Sequence, residues 1–550
     1  MLLSESLIHH RSFVLDHYAI PRLQPTRHDN TFKNGQMYQL ELVGPHLYYY
    51  LPPGSSLLSI PYVGWMNLFG ISAANPDGTY NSEGETRIES GLAALLMAGL
   101  ACIVFFTARL LLPPGWSLLI SLGAAFGTQV WSTASRALWS DTWAMFLLAL
   151  VLYMLFADAL GKRSMNPVAV ATLLAWTYFV RPTNSISILV IAAYVFLHHK
   201  AQFKILALTG LCWLAAFMIY SWYHFHQLLP NYFSPGRLSF GSFWTAFAGN
   251  LVSPSRGVLI YVPILAFVIY LAVTQRDALA RRPIALLALP VIVLHLVVIA
   301  GFTPWNGGFA YGPRYTTGLV PWLVLLFIVS LHSFLMKSNG KTERRFVLTG
   351  AVLLLCASVA INGRGAVAYE TWMWNVWPNN VDQVPQKIWD WRQPQFLAGL
   401  ITPPLTEKPS PLTRRLAFGT PDADPFIWYG WSWAENSFRW NDGDQAAVVF
   451  GSDPQQDYNL VLKLGAFAGQ DKPAQQRVTI LLNGETLQNL TLVEEPAREY
   501  LMPVNRGILR DRNVLLFKLP DAVSPKSLGI SADQRRLAIR IEWLELRRAT

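Results

Sequence analysis

Long apolar runs broken by short polar loops fill the chain from about residue 88 to residue 362, and the grammar differs on either side. Runs that approach the length needed to cross a bilayer, roughly 20 residues, predict about ten spans. They fall at 88–112, 116–134, 140–158, 167–181, 184–199, 204–223, 257–274, 283–302, 315–336 and 346–362. Several are short for an upright crossing, as expected of a tight bundle whose span ends face a cavity. The runs on either side of Arg181-Pro182 read as two spans, because only then do the loop charges alternate.

The flanks predict other architectures. Residues 1–87 are polar and turn-rich, with one apolar patch, Leu57 to Phe69, that is interrupted by Pro61 and Gly64 and reads as an interfacial helix. Residues 363–425 are rich in Trp and Pro and read as a connector along the membrane surface. From 426 to 550 the period drops to two. Strands are expected at Ala446–Gly451, Tyr458–Phe467, Arg477–Leu482, Leu487–Val493, Val514–Leu519 and Leu537–Leu546, with Asn483-Gly484 as a hairpin turn. The fold expected is a polytopic α-helical membrane bundle followed by a jelly-roll-like β-sandwich.

Composition supports the membrane reading. Hydrophobic residues make up 52% of the chain and charged residues 14%, against about a quarter charged in ordinary soluble domains. The net charge of +10 comes from Lys and Arg scattered over loop positions, with no basic stripe or nucleic-acid motif, so nucleic acid is excluded as a partner. Cys102, Cys212 and Cys356 fall in apolar runs and are expected to be buried small hydrophobes.

Basic residues also set the topology. Lys162 and Arg163, His198 to Lys204, Arg276 with Arg281 and Arg282, and Lys337 to Arg345 share one side, which the positive-inside rule makes cytoplasmic. Residues 1–87 and the region after 362 then share the extracytoplasmic side. No signal peptide precedes the first of these, so a further span upstream of Met1 is expected.

The candidate chemistry lies in polar clusters at the outer span ends. Arg136 and Asp141 stand in Ser135-Arg-Ala-Leu-Trp-Ser-Asp141, Arg181 in Phe179-Val-Arg-Pro-Thr-Asn184, and Arg256 in Ser253-Pro-Ser-Arg-Gly257. Arg314 and Tyr315 close Trp305-Asn-Gly-Gly-Phe-Ala-Tyr-Gly-Pro-Arg-Tyr315. Arginine grips phosphate through paired donors, so these residues are candidates to surround a lipid-linked phosphate whose tail runs between spans. An interfacial anchor or helix cap is the plainer role for any one of them. Asp141 is a candidate ligand for a divalent cation (Mg or Mn), with pairing to Arg136 or helix capping as its ordinary roles. His9, His10, His224 and His226 read as surface residues. Trp428, Trp431 and Trp433 are candidate glycan contacts, with packing against the membrane core the plainer reading.

Over residues 1–362 the chain resembles the GT-C superfamily of membrane glycosyltransferases, in particular bacterial relatives of protein mannosyltransferases and aminoarabinose transferases. The carriers are Tyr50-Leu-Pro-Pro-Gly54 with Leu57 to Pro61, then Ser135 to Asp141, Arg181-Pro-Thr183, Ser253 to Gly257 and Gly307 to Tyr315. The resemblance implies a bacterial inner-membrane enzyme that moves a sugar from a polyprenyl-phosphate donor to an extracytoplasmic glycan, lipid or protein. It also implies an acidic catalytic residue in the first outer loop. That carboxylate ordinarily follows the first span closely, so it is expected upstream of Met1. Within the chain Asp16 and Asp29 are the candidates, with Glu5 and Glu41 behind them. Two rival readings are a transporter or flippase for a lipid-linked saccharide and a catalytically inactive, membrane-anchored carbohydrate-binding protein.

Overall fold

The computed structural model describes the chain except residues 21–31, 34–35, 38, 234–237, 338–340, 377–379, 383, 403–408, 468–474, 494–495, 532 and 550. It resolves into two compact units, one of Met1–Trp372 with Val381–Phe396, the other of Met373–Asn380 with Leu397–Thr550. Residues 363–425 are therefore divided between the two units.

The first unit is helical. Among the described residues six helices are long and apolar enough to cross a membrane: Ser82–Arg109, Ser140–Ala159, Lys200–Phe225, Pro283–Ala300, Arg314–Met336 and Thr342–Val367. The other four expected spans coincide with shorter apolar helices, Pro114–Phe126, Pro167–Val180, Pro182–His198 and Leu265–Thr274. Local sequence explains the ends. Asn81 and Asn166 cap their helices by accepting the amides of Gly84 and of Val168 and Ala169. Pro182 closes the helix before it, leaving Arg181 extended at φ −150°.

The helices share a core that includes Leu148, Leu152, Phe156, Trp322 and Val329. Their outer faces are apolar and bare, as Leu208, Ile219 and Trp222 show on Lys200–Phe225. Such faces belong in lipid, not water. The three cysteines sit on these exposed surfaces, which corrects their expected burial: an all-apolar run does not tell which of its faces is packed.

The apolar patch of the first loop forms the helix Gly54–Asn67, with Pro61 inside it. Leu40–Val43 and His46–Tyr49 pair as a hairpin beside it in sequence.

The second unit carries two antiparallel sheets. One has the strand order 498–504, 458–466, 539–548, 438–441, 431–435, with 416–417 also paired to 539–548. The other runs 485–492, 476–482, 513–518, 445–450, 427–429. Alternate residues of both, among them Leu460, Leu462, Ile541, Val448, Ile480 and Phe517, enter one hydrophobic cluster. Trp431, 1% exposed, donates its indole N–H to the carbonyl of Ala447 in the other sheet at 3.2 Å. The Asn483-Gly484 turn has positive φ at both residues (53° and 92°), the conformation a tight two-residue hairpin demands.

Candidate functional site

The site is built around the start of the helix Ser140–Ala159. Asp141 lies in its first turn, where the helix dipole favours a carboxylate. Arg181, placed by the break before Pro182, donates to Asp141 Oδ2, to Ser140 Oγ at 3.2 Å and to Thr183 Oγ1 at 3.0 Å. The pair is buried, with the two residues 7% and 1% exposed. Asp141 therefore pairs with Arg181 and not with Arg136, and its other oxygen meets no hydrogen-bond donor among the described residues.

The segment from Pro304 to Leu319 folds over this pair. Gly312 adopts φ +58°, and a Cβ there would lie 2.5 Å from the ring of Tyr261, so no larger residue fits. The turn delivers Arg314, whose guanidinium stacks 3.6 Å from the centroid of Trp139 and donates to the Gly307 carbonyl at 3.3 Å. Gly318 passes close to Asp141, a Cβ there lying 3.8 Å from Oδ1. The Tyr315 hydroxyl reaches the Pro304 carbonyl at 3.4 Å, and its own carbonyl accepts from His295 Nε2 at 2.8 Å. Trp139, Asp141, Arg181, Arg314 and His295 thus meet at one end of the bundle.

Two expected members have other duties. Arg256 is 1% exposed, and its donors go to the carbonyls of Asn306 (2.8 Å), Ser255 (2.7 Å) and Gly308 (3.1 Å) and to Gln395 Oε1 (2.6 Å). It clamps the glycine-rich turn from behind, which revises its expected role as a phosphate ligand. Arg136 is exposed and donates to the Ala366 carbonyl at the end of another helix. Neither assignment was legible, because sequence gives depth along a span and not direction around it.

The first loop is fastened to this site. Gly54 packs so closely on the backbone of Phe179 and Val180 that a Cβ would lie 2.5 Å from the Phe179 carbonyl carbon. Trp143 Nε1 donates to Ser59 Oγ at 3.1 Å. Asp16 is half-exposed and held by His46 Nδ1 and the Leu47 amide, each at 2.7 Å. Asp29 lies outside the described residues. Glu5 is buried and serves the loop's own structure, accepting from Asn67 and the Ala73 amide. Glu41 accepts from Asn231. His9 and His10 are exposed, whereas His224 packs in tilted and edge-on contacts among Phe13, Tyr48, Tyr220 and Tyr223, a packing its sequence context did not announce.

An apolar crevice of about 140 Å³ lies between four helices, lined by Leu119, Ile120, Val268, Val324, Phe327 and Leu355. Gln129 stands on its wall and donates to Thr316 Oγ1 at 3.0 Å, two residues beyond Arg314. Lys387 and Asp382 were not singled out from sequence. Burial, reinforced by Arg256, holds the Lys387 ammonium down at about 7, and burial raises Asp382 despite Arg256. A Cβ on Gly308 would come within 3.9 Å of Asp382.

A divalent cation needs several oxygen ligands. Asp141 already meets Arg181, and no cluster of three His, Cys, Asp or Glu exists among the described residues. No protein-family model and no curated protein matches the chain.

Proposed function

We propose that the chain is a membrane glycosyltransferase of the GT-C type. In this reading it moves a sugar from a polyprenyl-phosphate donor to an extracytoplasmic glycan, lipid or protein, with inversion at the anomeric carbon. One observation carries the proposal: Arg314 stacks on Trp139, two residues before Asp141 of the buried pair with Arg181, while Thr316, two residues beyond Arg314, is bonded by Gln129 on the wall of an apolar crevice. A cationic end joined to an apolar channel suits a phosphate on a long hydrocarbon tail.

The remaining architecture is read in the same terms. All ten apolar helices are spans, and the two sheets are a sandwich. The strand order supports a jelly roll, since successive strands from 438–441 onward cross between sheets except at the hairpin of 476–482 with 485–492, as that fold requires.

In the reaction a first-loop carboxylate takes the proton of the acceptor hydroxyl while its oxygen attacks the anomeric carbon. The bond from that carbon to the phosphate oxygen breaks, and polyprenyl phosphate departs with the electron pair. Arg314 meets the charge on the departing phosphate. Arg181, already neutralised by Asp141, holds the wall on which Trp139 and Arg314 rest. Asp16 is the described candidate for the base, and Asp29 the other.

Purified protein in proteoliposomes is tested with a polyprenyl-phosphate sugar and a hydroxyl acceptor. Transfer by wild type and its loss in Arg314→Ala and Arg181→Ala, with insertion intact, are expected. Unaltered transfer in both variants removes the arginines from the mechanism, and the absence of any transfer by wild type overturns the enzyme reading.

A further inference from the structure

The outer surface of the larger sheet is unlike a solvated strand face. Cross-strand pairing sets Glu435 opposite Phe438 and Arg540 opposite Trp440, while Arg439 pairs with Ile541. Because side chains alternate, Glu435, Phe438, Trp440 and Arg540 share the side facing away from the core occupied by Trp431 and Ile541. Trp433 joins them through Arg535, which stacks 4.6 Å from its ring centroid and donates to Glu435 at 2.7 Å. Phe438 and Trp440 stand 5.5 Å apart, and Trp440 and Phe467 5.6 Å.

These rings are bracketed by polar groups held in place. Arg535 is 8% exposed and fixed between Glu435 and Asp533, the latter at 2.7 Å. Arg540 lies 5.0 Å from the Phe438 centroid and near Glu542, which also takes Lys463 at 2.8 Å. Trp433 leaves 43% of its surface open. The three cations Arg535, Arg540 and Lys463 face the three carboxylates Glu435, Asp533 and Glu542, so their charges cancel.

From this arrangement we infer that the face formed by Trp431–Glu435 and Phe438–Asn441 binds a neutral glycan chain. A pyranose ring offers an apolar C–H face and a rim of hydroxyls. The first stacks on an aromatic ring, and the second both donates and accepts, as fixed guanidinium–carboxylate pairs require. A polyanion is disfavoured by the cancelled charge. A protein partner would have to cover several ion pairs in its centre, where charged groups are depleted. The inference stands apart from the transferase reading, because it concerns only the second unit.

Full-length protein in nanodiscs is titrated by calorimetry with neutral hexasaccharides of β-1,4-glucan, β-1,3-glucan, β-1,4-mannan and α-1,6-mannan. At least one is expected to bind, with little change between low and high salt. Trp433→Ala and Trp440→Ala should each weaken it about tenfold or more, whereas Trp433→Phe, which keeps a ring, should retain most of the binding. Failure of all four sugars to bind overturns the inference. So does binding that both alanine variants leave intact, or variants that instead lose adsorption to anionic phospholipid vesicles, which would make the face a membrane anchor.

Discussion

Arg314 lies face to face with Trp139, its guanidinium carbon 3.6 Å from the ring centroid. The indole sits immediately before the helix that carries Asp141, so the stack joins the glycine-rich turn to the buried ion pair. An arginine plane held this way keeps its edge directed while its charge stays accessible, which a lysine cannot reproduce. Arg314→Lys is therefore expected to retain little of the transfer rate, with a loss on the order of 10²-fold. Trp139→Leu should lower the rate less, and mainly through kcat. Steady-state transfer in proteoliposomes checks both, and equal activity of the lysine variant would contradict the stacking role.

The Arg181–Asp141 pair makes a separate prediction about stability. Removing one buried partner strands the other charge, at a cost of about 3–5 kcal/mol. Arg181→Met should therefore lower the thermal midpoint in detergent strongly. The double variant Arg181→Met with Asp141→Leu should recover much of that loss, because no lone charge is left. A double variant no better than the single one would mean that the pair's geometry, and not its charge balance, sustains the fold.

Lys387 predicts a pH dependence. Its ammonium is held near 7 in the folded chain by burial and Arg256, below the ordinary lysine value. Between about 7 and that ordinary value the unfolded chain binds more protons than the folded one, so stability rises with pH across that window. Lys387→Met removes this increment. Midpoints measured from pH 7 to pH 9 should climb more steeply for wild type than for the variant, and parallel curves would show that the lysine is not desolvated.

Gly54→Ala tests the docking of the first loop. Its new methyl would press on the Phe179 carbonyl at 2.5 Å, backbone that cannot step aside. A loss of about 1–3 kcal/mol is expected, together with faster proteolysis of the segment before residue 54. Wild-type protease resistance would argue against this contact.

Much of the architecture was legible in the sequence because periodicity is local. Each apolar run from 88 to 362 became helical, although 116–134 breaks between Pro114–Phe126 and Val130–Ala134 and 257–274 between Val258–Tyr261 and Leu265–Thr274, and the alternating stretches at 458–467 and 477–482 became strands within a residue or two. Strands 431–435 and 498–504 escaped notice: the first is short, and the second carries the unbroken apolar run Tyr500 to Val504 with Pro503 inside it. The site was only half legible. That Arg181 and Arg314 lie at span ends follows from sequence, but their meeting depends on how helices turn about their axes. Arg256 shows the limit: a guanidinium at the right depth proved to be enclosed by carbonyls. Lys387 gave no signal at all, because its burial comes from a chain segment far off in sequence.

The order of strands in the second unit has a consequence for biogenesis. The segment Ile539–Arg548 is the final strand described, yet it lies between 458–466 and 438–441 and joins the two halves of its sheet. While the chain is still emerging, those halves have no common neighbour, and the edges that will receive the missing strand stand open to mispairing. Maturation of this region must wait for the ten residues of this strand, so a nonsense lesion before or within it would leave an exposed, aggregation-prone seam, not a slightly shortened protein.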